Sequence, residues 1–255
     1  MSRPDRQVLF SIRRLCKIFP GPAREEPCRA LRNINLDIYE GQCLLIAGSN
    51  GSGKTLLMRI IAGLLEPSGG EVLFRGGNLR RELGLVFQDA DAQIVGETVE
   101  EDIALGPENL GFSKAEVRER VDRAIEALGL SSRRTSPPRR LSGGEKRRLA
   151  VAGILAMGCN TLILDEPFAN LDWPGVSRTL QIIADIKKNG KTLIILTHEL
   201  EKVLALADRL VILDRGLVCD DGLPAEVLDR LDPAWGVRDP RRNYADVKDC
   251  SWLET

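Results

Sequence analysis

Apolar and polar positions change rhythm along this chain. Near the N-terminus they alternate: Ile34, Leu36 and Ile38 are spaced by Asn35 and Asp37, the period-two pattern of a half-buried antiparallel strand. Val8 to Phe19 reads as β structure of the same region. Pro20-Gly21-Pro22 and Glu25-Glu26-Pro27 mark an exposed loop between the two. From Cys43 the alternation stops. Cys43 to Gly48 is continuously apolar, as suits a strand covered on both faces, and Leu83 to Phe87, Thr161 to Leu164, Thr192 to Leu196 and Arg209 to Leu213 repeat that style. Helical stretches lie between most of these runs, at Lys54 to Leu64, Ser113 to Leu128, Gly143 to Met157 and Gly175 to Lys188. Strand alternating with helix predicts a mainly parallel, helix-covered sheet. From about Asp89 to Leu141 helices continue without a strand, which predicts a helical insertion ending in the loop Ser131 to Pro138. Past Leu231 the pattern loosens around Pro233, Gly236 and Pro240, where Trp235 and Trp252 favour partial packing.

Composition narrows the picture. The 255 residues are 43% hydrophobic and 29% charged, a balance able to build a real core, and with 4% aromatics that core must be mostly Leu, Ile, Val and Ala. A net charge of -1 argues against broad nucleic-acid binding. No apolar run approaches the roughly 20 residues that span a bilayer. No apolar stretch of signal-peptide length follows Met1 to Arg6, so the expectation is a cytoplasmic protein whose membrane role comes through a partner. Cys16, Cys28, Cys43, Cys159, Cys219 and Cys250 form no CxxC pair and have no His cluster beside them, against a disulfide framework or a zinc site. Cys43 and Cys219 read as small buried apolar residues.

Candidate chemistry collects at the ends of the predicted strands. Gly48-Ser49-Asn50-Gly51-Ser52-Gly53-Lys54-Thr55 fits GxxxxGK[ST], after an apolar strand and at the start of a helix. Glycines let backbone N–H groups turn inward around phosphate oxygens, and the helix N-terminus adds partial positive charge. Lys54 can reach the outer phosphates and the Thr55 hydroxyl can ligate Mg²⁺. Leu162 to Glu166 ends in two carboxylates; Asp165 would hold Mg²⁺ and Glu166 would polarise an attacking water. His198 is the sole histidine and ends the next strand, where ligands of open α/β sheets gather. Ser142, Gly143 and Gly144 open a helix whose N-terminus can bind an anion. Arg139, Arg140, Lys146, Arg147 and Arg148 beside it are either a solvated basic face or a field for polyphosphate.

Leu141-Ser142-Gly143-Gly144-Glu145, set between those two motifs, resembles the signature of ABC-type ATPases. The resemblance runs from about Val8 to Gly222 and implies a P-loop NTPase with a parallel-sheet core, an antiparallel β subdomain and a helical signature subdomain. It implies one ATP-binding domain over residues 1–231, with insertion about 89–141, signature 141–145 and a tail over 232–255. It further implies ATP and Mg²⁺ at the site, His198 on the γ-phosphate and Gln88 as a third metal ligand. Phe19 falls where the family places an adenine-stacking aromatic, though an ordinary core or edge aromatic fits as well. In this family the Ser142 element closes over the nucleotide of a second chain, and Ala169-Asn170-Leu171-Asp172 matches the loop that touches that chain. Asn170 stands where Gly is frequent, and Glu145 where Gln is.

A narrower resemblance follows Gln88. Val86 to Ile94, Thr98 to Ala104 and Gly106 to Gly111 are similar to the ATPases of energy-coupling factor importers of vitamins or transition-metal ions such as cobalt and nickel. That implies a transmembrane coupling protein and a substrate-binding membrane subunit as partners, and a place on the cytoplasmic side of the membrane. The alternative is a soluble ABC ATPase, for example of the iron–sulfur assembly type; the Gln88 to Gly111 match counts against it.

Overall fold

The computed structural model describes residues 6–21 and 26–241; the start of the chain, part of the proline-rich loop, Cys250 and Trp252 lie outside them. In the antiparallel sheet, β1 (Val8–Phe19) pairs with β2 (Cys28–Tyr39) on one side and β4 (Gly69–Phe74) on the other. The alternating register puts Phe10, Ile12, Ile34, Leu36 and Ile38 in the core, as the period-two pattern predicts. The second sheet has the spatial order β5 (Leu83–Val86), β6 (Thr161–Asp165), β7 (Thr192–Thr197), β3 (Cys43–Ala47), β8 (Arg209–Asp214), β9 (Leu217–Gly222). Its strands run parallel except β9, which returns antiparallel to β8.

Every residue of β3, β6 and β7 is buried, which is why their sequences are continuously apolar. Alternate residues of β3 enter two different cores. Leu44 and Ile46 pack toward the antiparallel sheet with Leu57, Met58, Ile60 and Ile61 of α1 (Lys54–Ile61), and the short α2 (Leu79–Glu82) leads directly into β5. Cys43, Leu45 and Ala47 join the other core, built with α3 (Val99–Asn109), α5 (Gly143–Met157) and α6 (Trp173–Lys188). Each fully buried aliphatic side chain contributes about 1.5–3 kcal/mol. A strand clamped from both sides is therefore a stiff platform for the loop at its end.

The insertion is helical among its described residues: α3 and α4 (Lys114–Ala127) pack on α5. Thr98 with Glu101, Ser113 with Glu116 and Ser142 with Glu145 form capping boxes at the starts of these three helices. Beyond it, Trp235 packs against the larger core and Val237 is buried in it, so the described part of the tail is attached.

Two features differ from the sequence reading. β4 lacks a clear pattern because it is an edge strand opening on Gly69-Gly70. Gly70 has φ +75, and a Cβ there would stand 2.2 Å from the Arg14 carbonyl oxygen, so close approach to β1 requires glycine. Cys219, expected buried, is only partly so because β9 is the sheet's outer strand, whereas burial pushes the Cys43 thiol up to about 12.

Candidate active site

The loop after β3 opens α1 directly at Lys54. Gly53 sits at φ 105 as the residue before the helix, a conformation closed to other residue types. A Cβ on Gly48 would lie 2.1 Å from the Leu213 carbonyl oxygen, so β8 holds the loop against the sheet. Lys54 is 6% exposed; its Nζ donates to the carbonyls of Gly48 at 2.7 Å and Ser49 at 3.2 Å. The Nζ is also 3.8 Å from Glu166 Oε1. Burial lowers the Lys54 pKa, opposed by Glu166 and Asp165. Ser52 is buried, with its hydroxyl unpartnered.

β6 delivers the two carboxylates. Thr55 Oγ1 donates to Asp165 Oδ2 at 2.9 Å, while Asp165 Oδ1 is buried without a partner. Burial pushes the Asp165 carboxyl above its usual range, against the Thr55 hydrogen bond. Glu166 is 5% exposed and has φ 47, the left-handed region that non-glycine residues avoid. Its amide donates to the Leu196 carbonyl of β7 at 2.8 Å. Its Oε1 lies 2.9 Å from His198 Nδ1, and its Oε2 is buried and unpartnered. A carboxylate can only accept there, so Nδ1 carries the hydrogen. Sheet order explains the meeting: β7 lies between β6 and β3, so their C-terminal ends bring Asp165, Glu166, His198 and the phosphate loop together.

Arg147 is the residue the sequence reading placed least well. It is 7% exposed, donating to the Glu166 carbonyl at 2.5 Å and the Gln88 carbonyl at 2.8 Å. Burial lowers its pKa, offset by Glu166 and Asp165. A signal was present: Arg147, Ala150, Val151 and Ile154 fall on one buried stripe of α5, and a charge on such a stripe needs partners. Gln88 itself is exposed, just past the end of β5. Phe19 is 40% exposed at the end of β1, with Lys17 Nζ over its ring at 5.3 Å from the centroid.

The signature lies elsewhere. Ser142, Gly143 and Gly144 line an open cavity with Asn170, Leu171, Asp172, Arg133, Arg148 and Arg178, and no residue of Gly48 to Thr55 lines it. Ser142 caps α5: Glu145 N donates to its Oγ at 3.3 Å, and Ser142 N donates to Glu145 Oε2 at 2.8 Å. Arg133 Nε also donates to Glu145 at 2.9 Å. Glutamate completes the capping box as glutamine would, and its charge in addition meets the Arg133 guanidinium. Asp172 caps α6, accepting from Gly175 N at 2.9 Å. Asn170 has φ 59, and asparagine is among the few non-glycine residues that tolerate this conformation, which accounts for its presence where Gly is frequent.

Residues 31–169 match the ABC transporter family. The chain belongs to that family. It is 41% identical over 207 residues to the energy-coupling factor transporter ATP-binding protein EcfA of Methanocaldococcus jannaschii, covering 77% of this chain and 74% of that protein. It is 42% identical over 229 residues to the cobalt import ATP-binding protein CbiO of Rhodobacter capsulatus, covering 86% and 80% of the two chains. A dimeric ATP-binding cassette solved in a post-hydrolysis state with ADP and phosphate superposes with a TM-score of 0.75 at 27% identity, over 85% of this chain and 99% of that one. The chain is therefore an ABC-type ATPase that uses ATP and Mg²⁺ and serves transport. No helix among the described residues is long and apolar enough to cross a membrane.

The site fits that chemistry. Asp165 Oδ1 and Glu166 Oε2 are buried oxygens lacking any protein donor, an expensive arrangement that a divalent cation and a water would satisfy. The bare glycine loop and the Lys54 amine fit the phosphates.

Proposed function

We propose that this chain is the ATP-hydrolysing subunit of an energy-coupling factor importer for a transition-metal ion of the cobalt or nickel kind, with a vitamin as the second choice. Similarity to EcfA and CbiO supports the importer class and the metal. The observation that carries the ATP mechanism is the division of the site. Strand ends hold the carboxylates and histidine beside the lysine that opens α1, whereas the Ser142 helix end opens into a separate cavity with three arginines in its wall. A second ATPase chain, identical or a close paralogue, fills that gap by docking head-to-tail.

In this reading residues 1–231 form one ATP-binding unit, the segment about 89–141 its helical insertion, and 232–255 a tail. Backbone N–H groups from Gly48 to Thr55 cradle the phosphates, and Lys54 turns from the Gly48 and Ser49 carbonyls to the outer phosphate oxygens. Thr55, Gln88 and Asp165 would hold Mg²⁺, which supplies positive charge to the phosphate oxygens. Phe19 stacks on the adenine. Glu166 orients the attacking water and draws on its proton, while His198 fixes the Glu166 carboxylate and faces the γ-phosphate. Ser142, Gly143 and Gly144 close over the partner's nucleotide, and Asp172 braces the loop that meets the partner. Water attacks phosphorus in line, the bond to the β-phosphate oxygen breaks, and ADP and phosphate leave the seam. Loss of the bridging charge then loosens the two chains, and the opening is passed through the Gln88 to Gly111 segment to a transmembrane coupling protein. A third, membrane-embedded subunit binds the cargo, with this chain peripheral on the cytoplasmic face.

The test is a tagged pull-down from detergent-solubilised membranes of the native host. A multi-span coupling protein and a small membrane-embedded subunit carrying cobalt or nickel are expected. Soluble partners alone would overturn the importer reading and leave the ATPase intact.

A further inference from the structure

Arg147 lies on α5, just past the Ser142 cap, and its buried fork reaches two backbone oxygens at the ends of neighbouring strands. Both acceptors are informative. Glu166 is held in the left-handed region, at φ 47, which persists only where surrounding contacts over-determine it. Its amide is fixed by the Leu196 carbonyl, and its carbonyl accepts from Arg147 at 2.5 Å and from the Ala169 amide at 3.2 Å, so the guanidinium makes the shorter of two holds on that oxygen. The second acceptor, Gln88, begins the segment that runs to the insertion. The adjoining Lys146 binds Asp91 in that segment at 2.6 Å, so α5 grips residues 88–91 at two points.

A buried guanidinium is costly, and an apolar side chain of similar volume would pack the same stripe at lower cost. Neither direct acceptor is an anion, and the nearby Glu166 and Asp165 offset the burial only in part, so attraction to them does not by itself explain the charge. A planar fork that spans two carbonyls does, because lysine's single ammonium cannot reproduce it. We propose that Arg147 is a positioning residue for hydrolysis: it sets the backbone of Glu166 and links that setting to the Gln88 segment and to the signature helix. A shift of α5 when Ser142 docks on a partner's nucleotide then moves the Glu166 backbone, and the carboxylate with it. So does a pull on the Gln88 segment. This inference rests on the roles proposed above for Glu166 and Ser142.

The test uses the purified full chain and the variants Arg147→Met and Arg147→Lys. Affinity for a fluorescent ATP analogue, thermal stability, KM and kcat are measured on each. With the fork removed, nucleotide affinity should stay within about twofold while kcat falls by about tenfold or more, the split expected when a reacting group is misplaced. Arg147→Lys should lie between Met and wild type, since it keeps the charge and one hydrogen bond. Unchanged kcat in a folded variant would overturn the proposal. So would affinity, KM and kcat declining in step with stability, which marks a purely structural role. Should the Met variant fail to fold, Arg147→Lys decides on the same criteria. Wild-type turnover and Glu166→Gln run alongside: turnover that survives Glu166→Gln sinks the catalytic assignment itself, a different failure.

Discussion

The strand-end site and the signature cavity carry the same kinds of chemistry in opposite surroundings. At the strand ends Lys54, Asp165 and Glu166 are 6%, 2% and 5% exposed, and burial moves the Lys54 and Asp165 pKa values toward their neutral forms. Two of the carboxylate oxygens have no donor. At the signature, Ser142 and Gly143 are exposed, and guanidinium groups of Arg133, Arg148 and Arg178 share the cavity wall. Only Arg148 of the three is partly buried, with its Nε unpartnered. Helix N–H groups and the exposed Arg133 and Arg178 rest comfortably in water. Buried, unpartnered carboxylates do not, and they persist only where a ligand completes them. The first region is thus unfinished without nucleotide and metal; the second is satisfied by water and, in the reading proposed above, receives another chain.

The sharpest way to break this comparison is Glu166→Gln. The change keeps shape and removes the base, so turnover should fall about 10²–10⁴-fold while ATP stays bound. A dimer should then accumulate with ATP on size exclusion. Wild-type turnover in the variant would remove Glu166 from the chemistry. Gly144→Asp attacks the other region. A Cβ at Gly144 meets Leu171 at 3.7 Å and Arg148 at 3.8 Å, ordinary contacts, so the chain should fold. Its carboxylate would face the partner's phosphates, and turnover should drop roughly 10–100-fold with ATP affinity of the monomer unchanged. Equal loss of affinity would mean that the signature serves its own chain's nucleotide.

The smallest effect belongs to a control outside both regions. Asp208 accepts from the Cys43 amide at 3.0 Å, Lys187 at 2.8 Å and Arg6 at 3.1 Å. Burial alone would raise its pKa, but these donors together hold it below the usual carboxylate value. A depressed folded pKa means that the stabilisation is full above the unfolded value near about 3.9 and fades as pH falls through the folded one. Asp208→Asn should therefore cost about 1–2 kcal/mol in urea unfolding at neutral pH, and the gap should close below about pH 4. Turnover should not change. A gap independent of pH would mean that the donors do not favour the ionised form.

Much of the fold was legible because its strands obey simple rules. Continuous apolar runs became the strands covered on both faces, and alternation became the antiparallel pair. β4 was not legible, since an edge strand exposed along part of its length has no pattern to show. In the site, Thr55 with Asp165 and Glu166 with His198 follow from strand ends that each carried a chemical group. Arg147 was hidden among basic neighbours: its place on an apolar stripe of α5 pointed to burial, and the packing of that helix decided it. Asn170 shows the converse: a departure from the family pattern in sequence takes a positive φ that glycine adopts readily.

By itself the sequence determined the local chemistry: a glycine loop that can cradle phosphate, carboxylates at the end of an apolar strand, and a serine that caps a helix. These depend on residues adjacent in the chain, so spacing alone carries them. The tertiary structure decided which groups meet. Strand order β6-β7-β3 joins residues over a hundred positions apart, such as Thr55 and Asp165, and burial sets their charge balance. It also left Ser142 in a cavity that no residue of its own chain's phosphate loop lines. Such juxtapositions come from packing two cores against one sheet, a long-range outcome to which every element contributes and which no single segment encodes.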